Sequence, residues 1–340
     1  MNFQKIPPVK ESEYYLQVAL TSARDLFKLK GFGNVVSSVN RARRKELIKI
    51  TEINAKVNND LMRIVSGFPR YSELSDFYKE LFKCYFSIDD YKQDLAKISW
   101  IARRVTQFSN IYSKKIKTST DVDIIKSYSK QFYGRLCSFF KQVDKSFLKL
   151  SEYRDSLRSM PDIKEGCYNI ALFGFPNAGK STILSKLTKA NPEIASYAFT
   201  TKRINLGYTK FRNITLQLMD TPGTLNRFEK MNNIEKQAYL VVRELADVVI
   251  FTYDPSESYS LEDQEKLFRR IKEIRKESKN NFEIIEFVTK VDLFEKKISL
   301  LKKKNSSLIS EIPKLKELLE LRTLEFETKL FKEGNKIIDN

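Results

Sequence analysis

Residues 174–181 read Gly174-Phe175-Pro176-Asn177-Ala178-Gly179-Lys180-Ser181, matching the spacing G-x-x-x-x-G-K-[ST]. This pattern cradles phosphates for a specific reason. The glycines let the backbone curl until successive N–H groups face one anion, and a helix that starts at the second glycine adds its dipole. Lys180 would reach the β- and γ-phosphates, the Ser181 hydroxyl would bind Mg²⁺, and Thr182 completes the set of contacts. The loop follows an apolar run, Asn169–Phe173, and precedes a helical pattern, which is the context the motif requires.

Three later motifs extend this chemistry. Asp220-Thr221-Pro222-Gly223 ends the apolar run Ile214–Met219. A carboxylate there is placed to hold Mg²⁺ through water, and Gly223 can offer its N–H to a γ-phosphate. Thr289-Lys290-Val291-Asp292 follows the apolar run Phe282–Val288 and resembles the N-K-x-D element of GTPases, with Thr in place of Asn. The Asp292 carboxylate would accept both N–H groups on the guanine edge, with Lys290 lying along the base. In Phe199-Thr200-Thr201-Lys202 a loop threonine can bind Mg²⁺ and sense the γ-phosphate. The chain has no histidine, so histidine bases, triads and metal sites are excluded. Cys84, Cys137 and Cys167 are widely spaced and form no zinc or redox motif.

The elements that must position these groups divide the chain near residue 165. Before it glycine is scarce, and Leu47, Ile48, Ile50, Ile53, Val57, Leu61 and Ile64 form a stripe of helical period. Breakers at Gly31–Gly33, Gly67–Pro69 and Thr118–Asp121 cut this half into about four or five long helices, the last ending at Met160–Pro161. Beyond it, the apolar runs Asn169–Phe173, Ile214–Met219, Val248–Tyr253 and Phe282–Val288 alternate with helical stretches. That alternation predicts a mostly parallel sheet with helices on both faces. The expected fold is an all-α bundle over residues 1–165, an α/β P-loop GTPase domain over 166–312, and a helical tail over 313–340. Ser260 with Asp263 makes an N-cap box for the helix beginning at Leu261.

Charge is distributed unevenly. The net charge is +18, and residues 1–165 hold 31 Lys+Arg against 19 Asp+Glu. Two windows lack acids altogether: Lys28–Lys45, with Arg41, Arg43 and Arg44, and Ile101–Thr120, with Arg103, Arg104, Lys114, Lys115 and Lys117. A polyanion such as RNA is the expected partner. No apolar run approaches the ~20 residues of a membrane helix, and the N-terminus lacks a signal-peptide core. A cytoplasmic, monomeric protein without a membrane partner is expected.

Taken together, these motifs resemble the nucleolar GTP-binding protein (Nog) family within the Obg-like GTPases. The P-loop, FTTK and DTPG are general to Obg-like proteins. IEKQA from Ile234, LADVVIF from Leu245 and DPSESYSLEDQ from Asp254 to Gln264 are more specific. In the first half IPPV (Ile6–Val9), ARRKEL (Ala42–Leu47), RIVSGFP (Arg63–Pro69), FYKEL (Phe77–Leu81) and WIARRV (Trp100–Val105) carry the likeness. The resemblance, to the short archaeal type, implies a GTPase acting in assembly of the large ribosomal subunit, with GTP/GDP, ribosomal RNA and the subunit precursor as partners. It makes Thr201 the Mg²⁺-binding loop threonine, with Thr200 as alternative. It makes Ser310-Glu311 the last nucleotide-binding element, with Ser306-Ser307 second. Thr224 stands where Ras-like proteins carry the catalytic glutamine. Asn177 sits where some related GTPases hold K⁺, so catalysis is expected from Lys180, Asn177 and Thr201. The alternative is a nucleic-acid-binding scaffold with weakened hydrolysis.

Overall fold

The computed structural model describes residues 3–30, 37–164, 166–188, 193–196, 203–221, 233–256, 258–291, 294 and 307–338. They belong to two compact units. One comprises Asn2–Glu73 with Phe86–Arg158, the other Leu74–Tyr85 with Ser159–Asn340.

The first unit is helical: α1 (Ser12–Lys30), α2 (Ser38–Gly67), α4 (Ile88–Thr118), α5 (Val122–Gln142) and α6 (Asp144–Ser159). The apolar stripe of α2 is its spine, with Ile50, Ile53, Val57, Leu61 and Ile64 all buried. The breaks fall where local chemistry puts them. Ser87 caps α4 by accepting from the Asp90 N–H. Asp121 caps α5 by accepting from the Asp123 and Ile124 N–H groups at 2.7 and 2.9 Å. Buried polar groups then fix which helices meet. Thr106 on α4 bonds Asn54 and Asn58 on α2. The Asp94 carboxylate on α4, 2 % exposed, accepts from Ser146 Oγ at 2.7 Å and Tyr153 OH at 3.3 Å on α6. Arg43 Nη2 donates to the Ser119 carbonyl at 2.7 Å, which brings the start of α2 to the end of α4.

Helix α3 (Asp76–Lys83) lies within the expected helical half of the sequence, yet it groups with the second unit. There the Tyr78 hydroxyl donates to the Pro161 carbonyl and Asp76 pairs with Lys279.

The second unit is built on a six-stranded sheet of order β2-β3-β4-β1-β5-β6. Its strands are β1 (Tyr168–Phe173), β2 (Glu193–Ser196), β3 (Arg203–Phe211), β4 (Ile214–Asp220), β5 (Val248–Tyr253) and β6 (Glu283–Val288). β4, β1, β5 and β6 run parallel, while β3 is antiparallel to both its neighbours, β2 and β4. The β2–β3 pair departs from the sequence-based expectation. Arg203, Asn205, Thr209 and Lys210 break the apolar run that identifies a strand buried on both faces. On one face α7 (Lys180–Leu187) and α10 (Ile312–Ile338) cover Ile170, Leu172, Leu218 and Ile250. α8 (Asn233–Glu244) and α9 (Leu261–Glu277) supply the other helical layer, and Ser260 caps α9 by accepting from the Asp263 N–H.

Asp94 offers a test of the helical unit. Replacing it with alanine leaves two buried hydroxyls unpaired, a loss of about 1–3 kcal/mol. The single tryptophan, Trp100, packs on Phe139 in this unit, so its fluorescence in urea reads the loss directly. An unchanged midpoint would remove Asp94 from the bundle's polar core.

Candidate nucleotide site

The P-loop is shaped by two close approaches. A Cβ on Gly174 would lie 2.3 Å from Thr252 Oγ1, so only glycine lets β1 leave the sheet beside the end of β5. Gly179 has φ +81° and faces Thr289, whose Cγ2 is 3.0 Å from where a Cβ would stand. Between them Asn177 adopts a left-handed φ of +61° and is exposed, while Ala178 is fully buried. Phe175 stacks on Tyr259 at 4.3 Å between ring centroids, and Pro176 follows it, half-buried. The chain then enters α7 with Lys180, whose buried Nζ curls back to donate to the carbonyls of Gly174 (3.1 Å) and Phe175 (2.8 Å).

Parallel strand order puts the other motifs beside this loop. β4 adjoins β1 and ends on Asp220. Its carboxylate Oδ2 accepts from Ser181 Oγ at 2.5 Å and from Asn205 Nδ2 at 3.1 Å. Thr221 anchors the end of β4 to β1 by donating its hydroxyl to the Leu172 carbonyl at 2.6 Å. Ser181 and Asp220 thus form one oxygen-only pair.

β6 lies at the far edge and ends on the T-K-V-D segment. Thr289 Oγ1 stands 3.0 Å from the Ala178 carbonyl and 3.1 Å from that of Tyr253, so its one proton ties the segment to the P-loop or to β5. The smaller residue therefore spans the gap in place of the expected Asn. Lys290 has φ +55°. Its ammonium reaches Asp254 Oδ2 at 2.7 Å and Ser256 Oγ at 3.1 Å. Burial alone would raise the Asp254 carboxyl, but bonds from Lys290 and Ser256 outweigh it and hold it below the usual carboxylate range.

Residues 308–310 return alongside β6. Val288 N–H donates to the Ile309 carbonyl at 2.8 Å, and Ile309 N–H to the Glu286 carbonyl at 3.0 Å. This bridge carries Ser310 to a cavity of about 840 Å³ whose lining includes Asn177, Gly179, Thr182, Thr289, Lys290 and Ser310. Pockets for ligands of nucleotide size span roughly 300–1,000 Å³.

The structure therefore brings the P-loop, Asp220, Thr289, Lys290 and Ser310 to the same end of the sheet. Thr200, Thr201, Gly223, Thr224, Asp292 and Ser306 lie outside the described residues. Sequence reasoning missed Asp254, Gln264, Asn205 and the anchoring role of Thr221. Asp254 carried a usable signal, because it ends the strand beside β1 just as Asp220 does on the other side. Among the described residues no helix is long and apolar enough to cross a membrane. No group of three His, Cys, Asp or Glu side chains among them is placed to hold a metal.

Two family models match the chain. Residues 3–164 match the NOG1 N-terminal helical domain, and residues 169–290 match the family described as 50S ribosome-binding GTPase. An uncharacterized protein of Methanocaldococcus jannaschii is 33% identical over 258 residues, covering 75% of this chain and 71% of its own. Nucleolar GTP-binding protein 1 of Drosophila melanogaster is 30% identical over 296 residues, which are 86% of this chain and 44% of that protein. The chain thus spans less than half the length of that eukaryotic relative. Among solved structures, the G domain of the T. maritima FeoB iron transporter is 26% identical, with a TM-score of 0.34, over 42% of this chain and 85% of that one.

Proposed function

Because this chain belongs to the Nog family of GTP-binding proteins, we propose that it is a GTP-hydrolysing switch that binds ribosomal RNA and acts on the large-subunit precursor, as a cytoplasmic monomer. The observation that carries the nucleotide half is the cavity walled on one side by the P-loop and on the other by Thr289, Lys290 and Ser310. A phosphate chain would lie at the start of α7 with the base toward Thr289, Lys290 and Asp292.

In this reading each residue has a stated task. Backbone N–H groups of residues 177–182 bind the phosphates, and Lys180 exchanges its carbonyl partners for β- and γ-phosphate oxygens. Ser181 and Asp220 fit Mg²⁺, being hard oxygen donors already side by side; such an ion keeps waters and phosphate oxygens as its other ligands. When bound, it offsets negative charge on the phosphates. Thr201, or Thr200, would complete that set, and Gly223 would sense the γ-phosphate. Asp292 selects guanine, and Ser310 closes the base side of the cavity. Asn177, exposed and lining the cavity, is assigned to K⁺, which would supply positive charge to offset the transition state in a chain with Thr at position 224 and no histidine.

The RNA half rests on how the bundle gathers charge. The Arg43–Ser119 hydrogen bond places the window around Arg41 and Arg44 at the same end of the bundle as Lys114, Lys115 and Lys117. Exposed Arg41, Arg44, Lys114, Lys115 and Lys117 thus belong to one basic end, although sequence separates them; Asp121 and Asp123 lie beside it as helix-cap acids. Arg43 itself is committed to the fold. The match to a family described as 50S ribosome-binding supports a ribosomal target.

Guanine selection is checked first. Asp292→Asn should weaken GTP binding by more than about 2 kcal/mol, the scale of an unpaired buried polar group, and improve binding of xanthosine triphosphate. Equal affinity of the native protein for ATP and GTP would sink the reading. Turnover should be faster in K⁺ than in Na⁺, with Asn177→Ala abolishing the difference; identical native rates in both salts would remove K⁺ from the mechanism. For RNA, replacing Arg41, Arg44, Lys114 and Lys117 by alanine should flatten the log–log salt slope of large-subunit RNA binding by the full chain, by about 0.7–0.9 for each phosphate that is no longer neutralised. The native affinity should differ between GDP and a non-hydrolysable GTP analogue. An unchanged slope would take this end of the bundle out of the interface.

A further inference from the structure

Within the run Asp254–Gln264, Ser260 with Asp263 performs the helix capping that the sequence predicts. The cap leaves Asp254 and Gln264 unexplained. Asp254 is a carboxylate only 1% exposed, and burying a charge is costly unless it is paired. Its surroundings are built to hold it. Gln264, itself 1% exposed, accepts from the Asp254 N–H at 2.8 Å and donates to the Asp254 carbonyl at 2.8 Å. Ser256 N–H donates to Asp254 Oδ1 at 2.9 Å, while Oδ2 takes the Lys290 ammonium. The backbone of Asp254 is thus fixed on both sides, and its charge is directed at one residue of the cavity wall.

Lys290 is the informative end of the pair. It lines the cavity and holds a left-handed φ of +55°, a conformation that a side-chain-bearing residue keeps only when its surroundings impose it. The ion pair to Asp254 supplies that constraint. It draws the ammonium to the end of β5, so that the methylene stem of Lys290 is set by a residue 36 positions earlier. From the middle of the same run, Tyr259 stacks on Phe175 of the P-loop.

We infer that Asp254 is a positioning residue for the bound guanine base, acting through Lys290. This deepens the proposed guanine-nucleotide site and rests on it. Asp254 touches no nucleotide in this scheme. It fixes the wall against which the base lies, so its loss shortens nucleotide residence while leaving phosphate chemistry intact.

The test uses the full chain and a fluorescent N-methylanthraniloyl GDP, with GTP turnover measured in parallel. Asp254→Asn keeps the shape and removes the charge. It should speed GDP dissociation by about tenfold, the scale of one charge-assisted hydrogen bond, and raise KM for GTP by a similar factor, with kcat within about twofold. Lys290→Ala, which also removes the stem lying along the base, should speed dissociation at least as much, and the double variant should be no worse than Lys290→Ala alone, because Asp254 acts only through Lys290. Ser256→Ala, a milder change, should speed dissociation about threefold. A native dissociation rate in Asp254→Asn, or independent effects in the double variant, would overturn the inference. If Asp254→Asn fails to fold, the Ser256→Ala rate decides: faster dissociation supports the assignment and an unchanged rate refutes it. A native protein that binds no guanine nucleotide would overturn the site itself, an outcome distinct from a native protein that binds and an Asp254→Asn variant that binds equally well.

Discussion

The chain leaves β1 at Gly174 with Thr252 so close that no side chain fits between them, and the Thr252 hydroxyl donates to the Phe173 carbonyl at 3.1 Å. That approach fixes the origin of the P-loop relative to β5. Gly179 fixes its far end, where it faces Thr289 at the end of β6. Two glycines therefore set the loop against two strands at once, and the rest of the site is arranged around a backbone that has little freedom left. Either glycine exchanged for alanine must displace a threonine that other hydrogen bonds hold.

Polar ties then join the strand ends into one rim. Ser181 to Asp220, Thr221 to Leu172, Thr289 to Ala178 and Lys290 to Asp254 each link one motif to its neighbour. Three of them cross a single strand gap, and Thr289 to Ala178 reaches from the end of β6 past β5 to the loop after β1. A rim of this kind joins the base side to the phosphate side through short, buried or half-buried contacts.

The parts legible in the sequence were those whose cause is local. A P-loop demands fixed residue types at fixed spacing, and the breaks of the bundle fall at caps such as Asp121, which act within three residues. Long-range causes left no such trace. Nothing near Asp94 in the sequence announces Ser146 or Tyr153, and nothing near Lys290 announces Asp254. β2 and β3 were hidden because an antiparallel extension with exposed Lys210 lacks the apolar run of the parallel strands. Thr289 is instructive in another way. A motif counts residue types, whereas the fold requires only a group that reaches the Ala178 carbonyl, and a hydroxyl does so.

The curl of Lys180 has a consequence for which anions the loop accepts. Its ammonium is already solvated by the carbonyls of Gly174 and Phe175 inside a buried loop. An entering anion must therefore replace two oriented dipoles before it gains anything from the lysine. Chloride or a lone inorganic phosphate, with less charge and fewer oxygens, gains less from that exchange. A polyphosphate spans the whole row of backbone N–H groups and repays the displacement along its length. The two carbonyl bonds thus set a threshold that weights the loop toward anions with several phosphates in series over small single ones.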